Sequence, residues 1–305
     1  MSVAVPALRS EGTIALIAPA GPADLDAEQA DQWVRNRGYN LRIFPGVFER
    51  EGYLAGSDDT RLNDLHAAFA DPEIDAIFCL RGGYGTPRLL DRLDFDLLRA
   101  NPKPFVGYSD LTAVHLAISR YAGFVTFHGP MFKVDLLGDK LQPTESSLFS
   151  LLRGQLGAGS ELAHPVAYPL TTIAPGIACG RLLGGNLSMI AAVMGTPYEI
   201  DAEGIILLIE DVNEPIYRID RLLTHLRLAG KLAQVAGVLV GDVAGVDSAA
   251  LERLLKQTFE PLCIPVLAGW RSGHCDPNLT LPIGALVRLD AEEQRVVLEQ
   301  DVVFK

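Results

Sequence analysis

Short apolar runs alternate with helical patterns over the first 134 residues. Strand-like runs occur at residues 13–18 (TIALIA), 40–44 (NLRIF), 76–80 (AIFCL), 104–107 (PFVG) and 124–130 (FVTFHGP). Between them, apolar spacing predicts helices at about 25–37, from Asp58 or Asp59 to just before Pro72, after the sequence RGGYG (81–85), and at 111–121. This alternation is typical of a doubly wound parallel sheet, so we predict an α/β domain over residues 1–134.

The pattern changes after residue 134. Residues 135–176 contain scattered Pro and Gly, and we interpret them as a linker with one helix. From residue 177 the alternation resumes in a second α/β domain, 177–305. Its predicted elements are a strand, a glycine turn and a short helix over 177–195, strands at 204–212 and 235–243, helices at 215–230 and 248–259, a strand at 265–270 and a hairpin at 284–301.

Composition and charge narrow the class of protein. The chain is 49% hydrophobic and 21% charged, an ordinary globular balance. Its net charge of −12 argues against nucleic acid and anionic membranes as partners, since both select clustered Lys and Arg. The first residues lack the basic region of a secretory signal, and the four cysteines form no CxxC pair. We therefore expect reduced cysteines in a cytoplasmic protein.

Ser109 is the first candidate for chemistry. Ligands of open α/β sheets bind outside the carboxyl ends of the strands, and Ser109 follows the strand at 104–107. The sequence GYSDL resembles the nucleophile elbow G-x-S-x-G, but Leu111 occupies the position of the second glycine. A serine before a helical pattern is also a common N-cap. Ser109 is therefore a nucleophile or a helix cap.

An acid and an imidazole follow other strands. Glu210 and Asp211 come after the apolar run 205–209, and His274 follows the run 265–270. A buried carboxylate is costly unless it is paired, so we expect Glu210 to have a partner and Asp211 to turn outward. A hydroxyl, a carboxylate and an imidazole are the groups that a serine hydrolase needs.

These assignments have structural alternatives. Glu210 could cap the helix that begins near Pro215, or pair with Arg218, and His274 could be a satisfied structural histidine. His128, at the end of a strand, is the second choice for the imidazole.

Two further candidates are weaker. His115 lies about 240° around its helix from Ser109, at about 100° per residue. No metal site is expected from His274, Cys275 and Asp276, because adjacent residues rarely converge on one ion.

The glycine-rich sequence at 81–85 also has two interpretations. It does not fit a phosphate-binding loop, because Arg88 occupies the place of the third glycine and no G-K-[ST] follows. Glycines allow close backbone approach, so N–H groups here could face an oxyanion, with the N–H of Asp110 as a second donor. The alternative is an ordinary glycine turn.

Taken together, these motifs resemble the LD-carboxypeptidases, a family of serine peptidases. The matching stretches are RGGYG (81–85), GYSDLTAVHLAI (107–118), LLGGNLSMI (182–190), EDVNEPIYRIDRLLTHL (210–226) and SGHCDPNLTLPIG (272–284). Their order and spacing match over nearly the whole chain, and the length resembles the muropeptide-recycling branch. Five motifs in order are more specific than any one of them.

The resemblance implies a role for each candidate. Ser109, Glu210 and His274 would form a Ser-Glu-His triad. We assign the oxyanion hole to the backbone N–H groups of Gly83 and Asp110. Substrate contacts are expected from Arg81, Gly82 and Tyr84, with Arg81 a candidate, by position, for the terminal carboxylate.

The resemblance also implies a fold and an activity. It implies a flavodoxin-like N-terminal domain, a swivelling β/α C-terminal domain, a site between them and a homodimer. The implied reaction releases the terminal D-alanine from cytoplasmic murein tetrapeptides, without metal or organic cofactor. One alternative is a peptidase like the microcin C immunity proteins, which cleave peptidyl or aminoacyl nucleotides. A solute-binding protein is the non-enzyme alternative.

Overall fold

The fold is built around two large sheets whose central strands are parallel. The structure is a computed structural model that describes residues 2–138 and 140–305. The strands are β1 (Val5–Pro6), β2 (Thr13–Ile17), β3 (Asn40–Ile43), β4 (Ala76–Cys79), β5 (Phe105–Gly107), β6 (Thr126–His128), β7 (Thr171–Ala174), β8 (Ile177–Asn186), β9 (Ile206–Val212), β10 (Gly237–Ala244), β11 (Val266–Ala268), β12 (Leu281–Ile283), β13 (Leu286–Asp290), β14 (Arg295–Leu298) and β15 (Val303–Phe304).

Helices cover and connect these strands. The α-helices are α1 (Ala27–Arg35), α2 (Asp58–Ala70), α3 (Phe95–Ala100), α4 (Thr112–Ala117), α5 (Thr144–Leu152), α6 (Leu187–Ala192), α7 (Ile216–Leu228) and α8 (Ser248–Phe259). Short 3₁₀ helices span Pro45–Phe48, Thr86–Arg92, Ser109–Leu111 and Glu260–Leu262, and π-helical turns span Ile118–Ala122 and Phe132–Leu136. Within the described chain, no helix has both the length and the apolar character to cross a membrane.

The first sheet has the order β12-β6-β5-β4-β2-β3. Strands β2 to β6 pair in parallel, and β12 adds an antiparallel edge. Its five parallel strands follow the flavodoxin order 2-1-3-4-5. The residues of β4 are completely buried, as expected for a strand with helices on both faces. The predicted α/β class and flavodoxin-like sheet are confirmed.

The second sheet has the order β14-β13-β8-β9-β10-β11-β7. Strands β8 to β11 are parallel to their neighbours, whereas β13, β14 and β7 add antiparallel edges. The hairpin predicted at 284–301 is confirmed as β13 and β14. The chain leaves the second sheet after β11, adds β12 to the first sheet, and returns to the second sheet at β13. The segments before and after β12 therefore connect the two sheets. The domain bounds at 134 and 177 stay a prediction.

Several predicted elements differ in detail. The predicted helix after RGGYG is a 3₁₀ segment followed by α3, whose first turn is capped by Asp94 accepting from the Leu97 N–H (2.9 Å). The predicted glycine turn after residue 183 is wrong, because β8 continues through Gly184 and Gly185 with φ of 133° and 137°. A Cβ at Gly184 would lie 2.0 Å from the Leu208 carbonyl oxygen, so only glycine allows this close strand pairing.

Candidate active site

The fold brings Ser109, Glu210 and His274 together at the carboxyl ends of strands from both sheets. Ser109 follows β5 of the first sheet, and Glu210 lies near the end of β9 in the second sheet. His274 lies in the loop that leaves β11 and leads to β12, so this loop passes from one sheet to the other. The catalytic candidates therefore lie where the two sheets meet.

These side chains form a continuous hydrogen-bonded line. Ser109 Oγ lies 3.2 Å from His274 Nε2, and His274 Nδ1 lies 2.7 Å from Glu210 Oε2. An imidazole protonated on Nδ1 donates to the carboxylate and accepts the serine hydroxyl proton on Nε2. This is the arrangement in which a histidine can act as a general base toward a serine.

Ser109 has an unusual backbone conformation. Its φ is 61°, in the left-handed region that costs a non-glycine residue about 1–3 kcal/mol. It begins a 3₁₀ turn, and α4 starts only at Thr112, without a side-chain cap. The Ser109 hydroxyl is directed to His274 rather than to a helix N–H. The structure thus gives this hydroxyl the partner expected of a nucleophile and not that of a cap.

Glu210 is completely buried, with its carboxylate beside glycine backbone. A Cβ at Gly273 would lie 2.5 Å from Glu210 Oε2, and one at Gly241 would lie 3.1 Å from Glu210 Cβ. The pairing with Arg218 is not formed, because Arg218 pairs with Glu214 (3.2 Å). The capping role is not formed either, because α7 has no side-chain cap.

The prediction for Asp211 is wrong. Its side chain points inward and is 3% exposed. It accepts hydrogen bonds from Asn186 Nδ2 (3.1 Å) and from the Ser188 N–H and hydroxyl (2.9 and 2.8 Å). Asp211 thereby fixes the start of α6 beside the strand that carries Glu210.

Burial and pairing shift the pKa values of the acid and the imidazole. Burial is the main cause that raises the pKa of Glu210, and His274 opposes it. Burial lowers the pKa of His274, but the hydrogen bond and the charge of Glu210, with smaller effects of Asp211 and Asp135, raise it above its ordinary value. Glu210 therefore favours the imidazolium that forms when His274 accepts a proton.

Residues just before α5 and in its first turn hold the histidine loop, and no sequence pattern indicated this. Lys140 Nζ donates to the Cys275 carbonyl (3.1 Å) and pairs with buried Asp135 (3.5 Å). The edge of the Tyr108 ring packs against His274, with ring centroids 4.9 Å apart. Further contacts join Leu141 to Asp276, Asn278 to Thr144, and Thr280 to Ser147. No chemical motif marks these residues, so the sequence predicts no functional role for them.

The glycine loop lies against Ser109. A Cβ at Gly82 would lie 3.0 Å from both Cβ and Oγ of Ser109. The Gly82 carbonyl accepts from the Gly21 N–H (3.1 Å), and in a trans peptide the N–H of Gly83 points the opposite way. Across residues 2–138 and 140–305, neither the Gly83 N–H nor the Asp110 N–H has an acceptor. Both predicted oxyanion donors are therefore available near the serine turn.

Arg81 and Tyr84 flank this loop. Arg81 Nη1 makes a long hydrogen bond to the Pro22 carbonyl (3.3 Å), and no described carboxylate pairs with its guanidinium. The Tyr84 side chain is 46% exposed, and its ring lies 5.9 Å from that of Tyr53, itself 63% exposed. The glycine loop that touches Ser109 through Gly82 is thus flanked by a guanidinium and an exposed aromatic ring.

The other histidines have structural partners or lie apart from the serine. His115 is buried between Thr126 Oγ1 and the Gly107 carbonyl, both 2.8 Å from its ring nitrogens. His128, the second choice, is completely buried behind Tyr108, and its ring nitrogens make no hydrogen bond to described residues. In the described part of the chain, no three His, Cys, Asp or Glu side chains are arranged to hold a metal ion.

Fold and site together define an α/β protein with two main sheets and with the hydroxyl, imidazole and carboxylate arrangement that serine hydrolases use. Comparison with known proteins gives the family. The LD-carboxypeptidase N-terminal domain matches residues 14–129, and the LD-carboxypeptidase C-terminal domain matches residues 179–289. The chain belongs to the LD-carboxypeptidase family, and it is therefore a peptidase and a hydrolase.

Individual relatives agree with this family. A probable murein peptide carboxypeptidase of Bacillus subtilis is 40% identical over 97% of this chain and 94% of its own. The structure of muramoyltetrapeptide carboxypeptidase from Oxalobacter formigenes superposes with a TM-score of 0.79 at 30% identity, covering 93% of this chain and 97% of that one. An MccF-like protein from Bacillus anthracis has a TM-score of 0.90 at 25% identity, covering 98% and 100%.

Proposed function

We propose that the protein is a serine-type LD-carboxypeptidase that releases the terminal D-alanine from murein tetrapeptides of the form L-Ala-D-Glu-meso-diaminopimelate-D-Ala. The observation that carries the proposal is the line from Ser109 Oγ through His274 to fully buried Glu210. Similarity to relatives named for murein peptides supports the substrate class. We place the reaction in cytoplasmic peptidoglycan recycling, and we expect a homodimer.

The reaction proceeds in two stages. His274 takes the proton of Ser109 as the serine oxygen attacks the carbonyl before D-alanine, and Glu210 stabilises the imidazolium. The N–H groups of Gly83 and Asp110 bind the oxyanion. The C–N bond breaks, and His274 gives its proton to the amine of the leaving D-alanine. Water, deprotonated by His274, then attacks the acyl-enzyme ester and releases the tripeptide.

A carboxypeptidase must also recognise the terminal carboxylate of its substrate. Arg81 supports this role, because its guanidinium lies beside the glycine loop without a described acidic partner in a chain of net charge −12. A planar guanidinium matches a carboxylate through two parallel hydrogen bonds. Gly82 and Tyr84 complete the proposed substrate contacts.

One observation favours a second candidate, a peptidase acting on peptidyl or aminoacyl nucleotides. Trp270 is buried and Trp33 packs under Arg37, so neither tryptophan offers a free face for a base. The exposed Tyr53 and Tyr84 rings do offer such a face. A solute-binding role is set aside, because the chain belongs to a peptidase family.

A matched substrate set tests the proposal. Purified protein is incubated with the tetrapeptide ending in D-alanine, with its counterpart ending in L-alanine, and with an aminoacyl sulfamoyl nucleoside, and free products are measured by mass spectrometry. We expect D-alanine release from the first peptide and little cleavage of the other two compounds. Cleavage of the nucleoside alone would favour the second candidate, and no cleavage of the D-alanine peptide would contradict the proposal.

A further inference from the structure

A reciprocal pair of hydrogen bonds joins the glycine loop to the serine turn. Thr86 Oγ1 donates to the Asp110 carbonyl (2.6 Å), and the Thr86 N–H donates to Asp110 Oδ2 (2.8 Å). Thr86 is 0% and Asp110 is 1% exposed, so water does not compete for these bonds. The pair therefore fixes both the backbone and the side chain of Asp110 relative to the residue that follows Gly85.

A buried arginine packs against the place where the glycine loop meets the serine turn. Arg61 is 1% exposed, donates from Nη1 to the Pro19 carbonyl (2.7 Å) and pairs with Asp58. A Cβ at Gly85 would lie 2.5 Å from Arg61 Nη1, so the end of the glycine loop rests directly on the guanidinium. Burial raises the pKa of Asp110, and the hydrogen bonds from Thr86 and the charge of Arg61 oppose this shift.

We infer that the Thr86 hydroxyl and the Asp110 carboxylate are positioning residues that set the distance between the two oxyanion donors. The Gly83 N–H belongs to the loop after β4, and the Asp110 N–H belongs to the turn after β5. Both must lie about 2.7–3.1 Å from the same oxygen in the transition state. Two separate loops keep this spacing only if they are joined. The Thr86–Asp110 pair joins them, because Thr86 lies three residues after Gly83 and Asp110 itself carries the second donor.

The inference deepens the proposed function and rests on Ser109 being the nucleophile. A purely structural role would stabilise the fold without affecting the rate of the chemical step. A positioning role affects the transition state more than the bound substrate, so it lowers kcat with little change in KM. The two roles are therefore distinguishable.

Substitutions at Thr86 test the inference. Thr86→Val keeps the shape and the backbone bond but removes the hydroxyl, whereas Thr86→Ser keeps the hydroxyl. We expect Thr86→Val to lower kcat by roughly ten- to a hundredfold, the range for a small misplacement in an active site, with KM within about twofold. Thr86→Ser should restore most of kcat. Thr258→Val is the matched control, because Thr258 also donates to a carbonyl (Leu254, 2.8 Å) but lies on α8.

A second readout separates this inference from the substrate assignment. The rate at which a fluorophosphonate labels Ser109 depends on the oxyanion donors and needs no peptide substrate. We expect labelling to slow in Thr86→Val and to recover in Thr86→Ser, even if the murein peptide is not cleaved. The inference would be overturned if Thr86→Val kept the wild-type labelling rate and kcat. It would also be overturned if Thr86→Val and Thr86→Ser lost labelling rate and kcat to the same extent. A lowered Tm with unchanged kcat and labelling would do the same.

Discussion

At the scale of single residues, the charge of Glu210 favours the protonated form of the imidazole. The carboxylate is fully buried, and its partner His274 keeps about a fifth of its side chain exposed. Burial alone would lower the pKa of His274, and nearby carboxylates, first among them Glu210 at 2.7 Å, reverse the direction. The pH at which the base becomes available therefore depends on burial and on Glu210 above all, with smaller contributions from Asp211 and Asp135.

This coupling predicts the acid limb of the pH profile. His274 must be neutral to accept the Ser109 proton, and its pKa is raised above the ordinary value of 6.5. We expect kcat/KM to fall as the pH drops through a value above 6.5. In Glu210→Gln the raising effect of Glu210 disappears, while burial and the weaker raising effects of Asp211 and Asp135 remain. The limb should therefore move to lower pH, and the rate should fall.

The profile of kcat/KM against pH for both proteins checks this prediction. Glu252→Gln is the control, since Glu252 pairs with Lys256 on α8 and should leave the limb unchanged. An acid limb at the same or a higher pH in Glu210→Gln would contradict the assigned coupling.

Gly273 packs its backbone directly against the Glu210 carboxylate. Its φ is 106°, and a Cβ there would lie 2.5 Å from Glu210 Oε2. Gly38→Ala is a matched control, because Gly38 has a φ of 79° but nothing within 4 Å of its added Cβ. The control should lose about 1–2 kcal/mol of unfolding free energy from backbone strain, with unchanged kcat.

Gly273→Ala should lose more stability than the control, and its kcat should fall because the carboxylate and His274 are displaced. Urea unfolding and steady-state kinetics on the two variants measure both effects. Equal stability losses together with a wild-type kcat in Gly273→Ala would show that the contact does not control the site.

At the scale of elements, the sequence predicts best the strands that are buried on both faces. Central parallel strands are buried on both faces, so they appear as continuous apolar runs, and β2, β4 and β9 lie where predicted. Strand β12 was not predicted, because three residues that include a proline give no period. Helix α4 is shorter than predicted, because the chain continues as a π-helical turn up to Gly123.

The candidate site could be predicted only in part. Ser109, Glu210 and His274 were found because they follow strands of recognisable pattern. The inward turn of Asp211 and the support from Lys140 depend on tertiary contacts between residues far apart in sequence, and a one-dimensional pattern does not contain them. The conformation of Ser109 was equally hidden, since local propensity favours a serine as a cap.

At the scale of the whole molecule, the site depends on how the two sheets are joined. Ser109 belongs to the first sheet and Glu210 to the second, and the loop with His274 connects them between β11 and β12. Strand β12 pairs with β6, and Leu281 is directly opposite His128. The imidazole is therefore anchored to both halves of the molecule.

A double-mutant comparison tests this account most directly. The kcat for D-alanine release is measured in Ser109→Ala, His274→Ala and the combined variant. Ser119→Ala is the control, because the Ser119 hydroxyl is buried and has no hydrogen-bond partner among the described residues. We expect each single variant to lose several orders of magnitude in kcat and the combined variant to lose no more than either, as residues that act as a unit do. Near-normal turnover in a single variant, or losses that multiply in the combined one, would contradict the account.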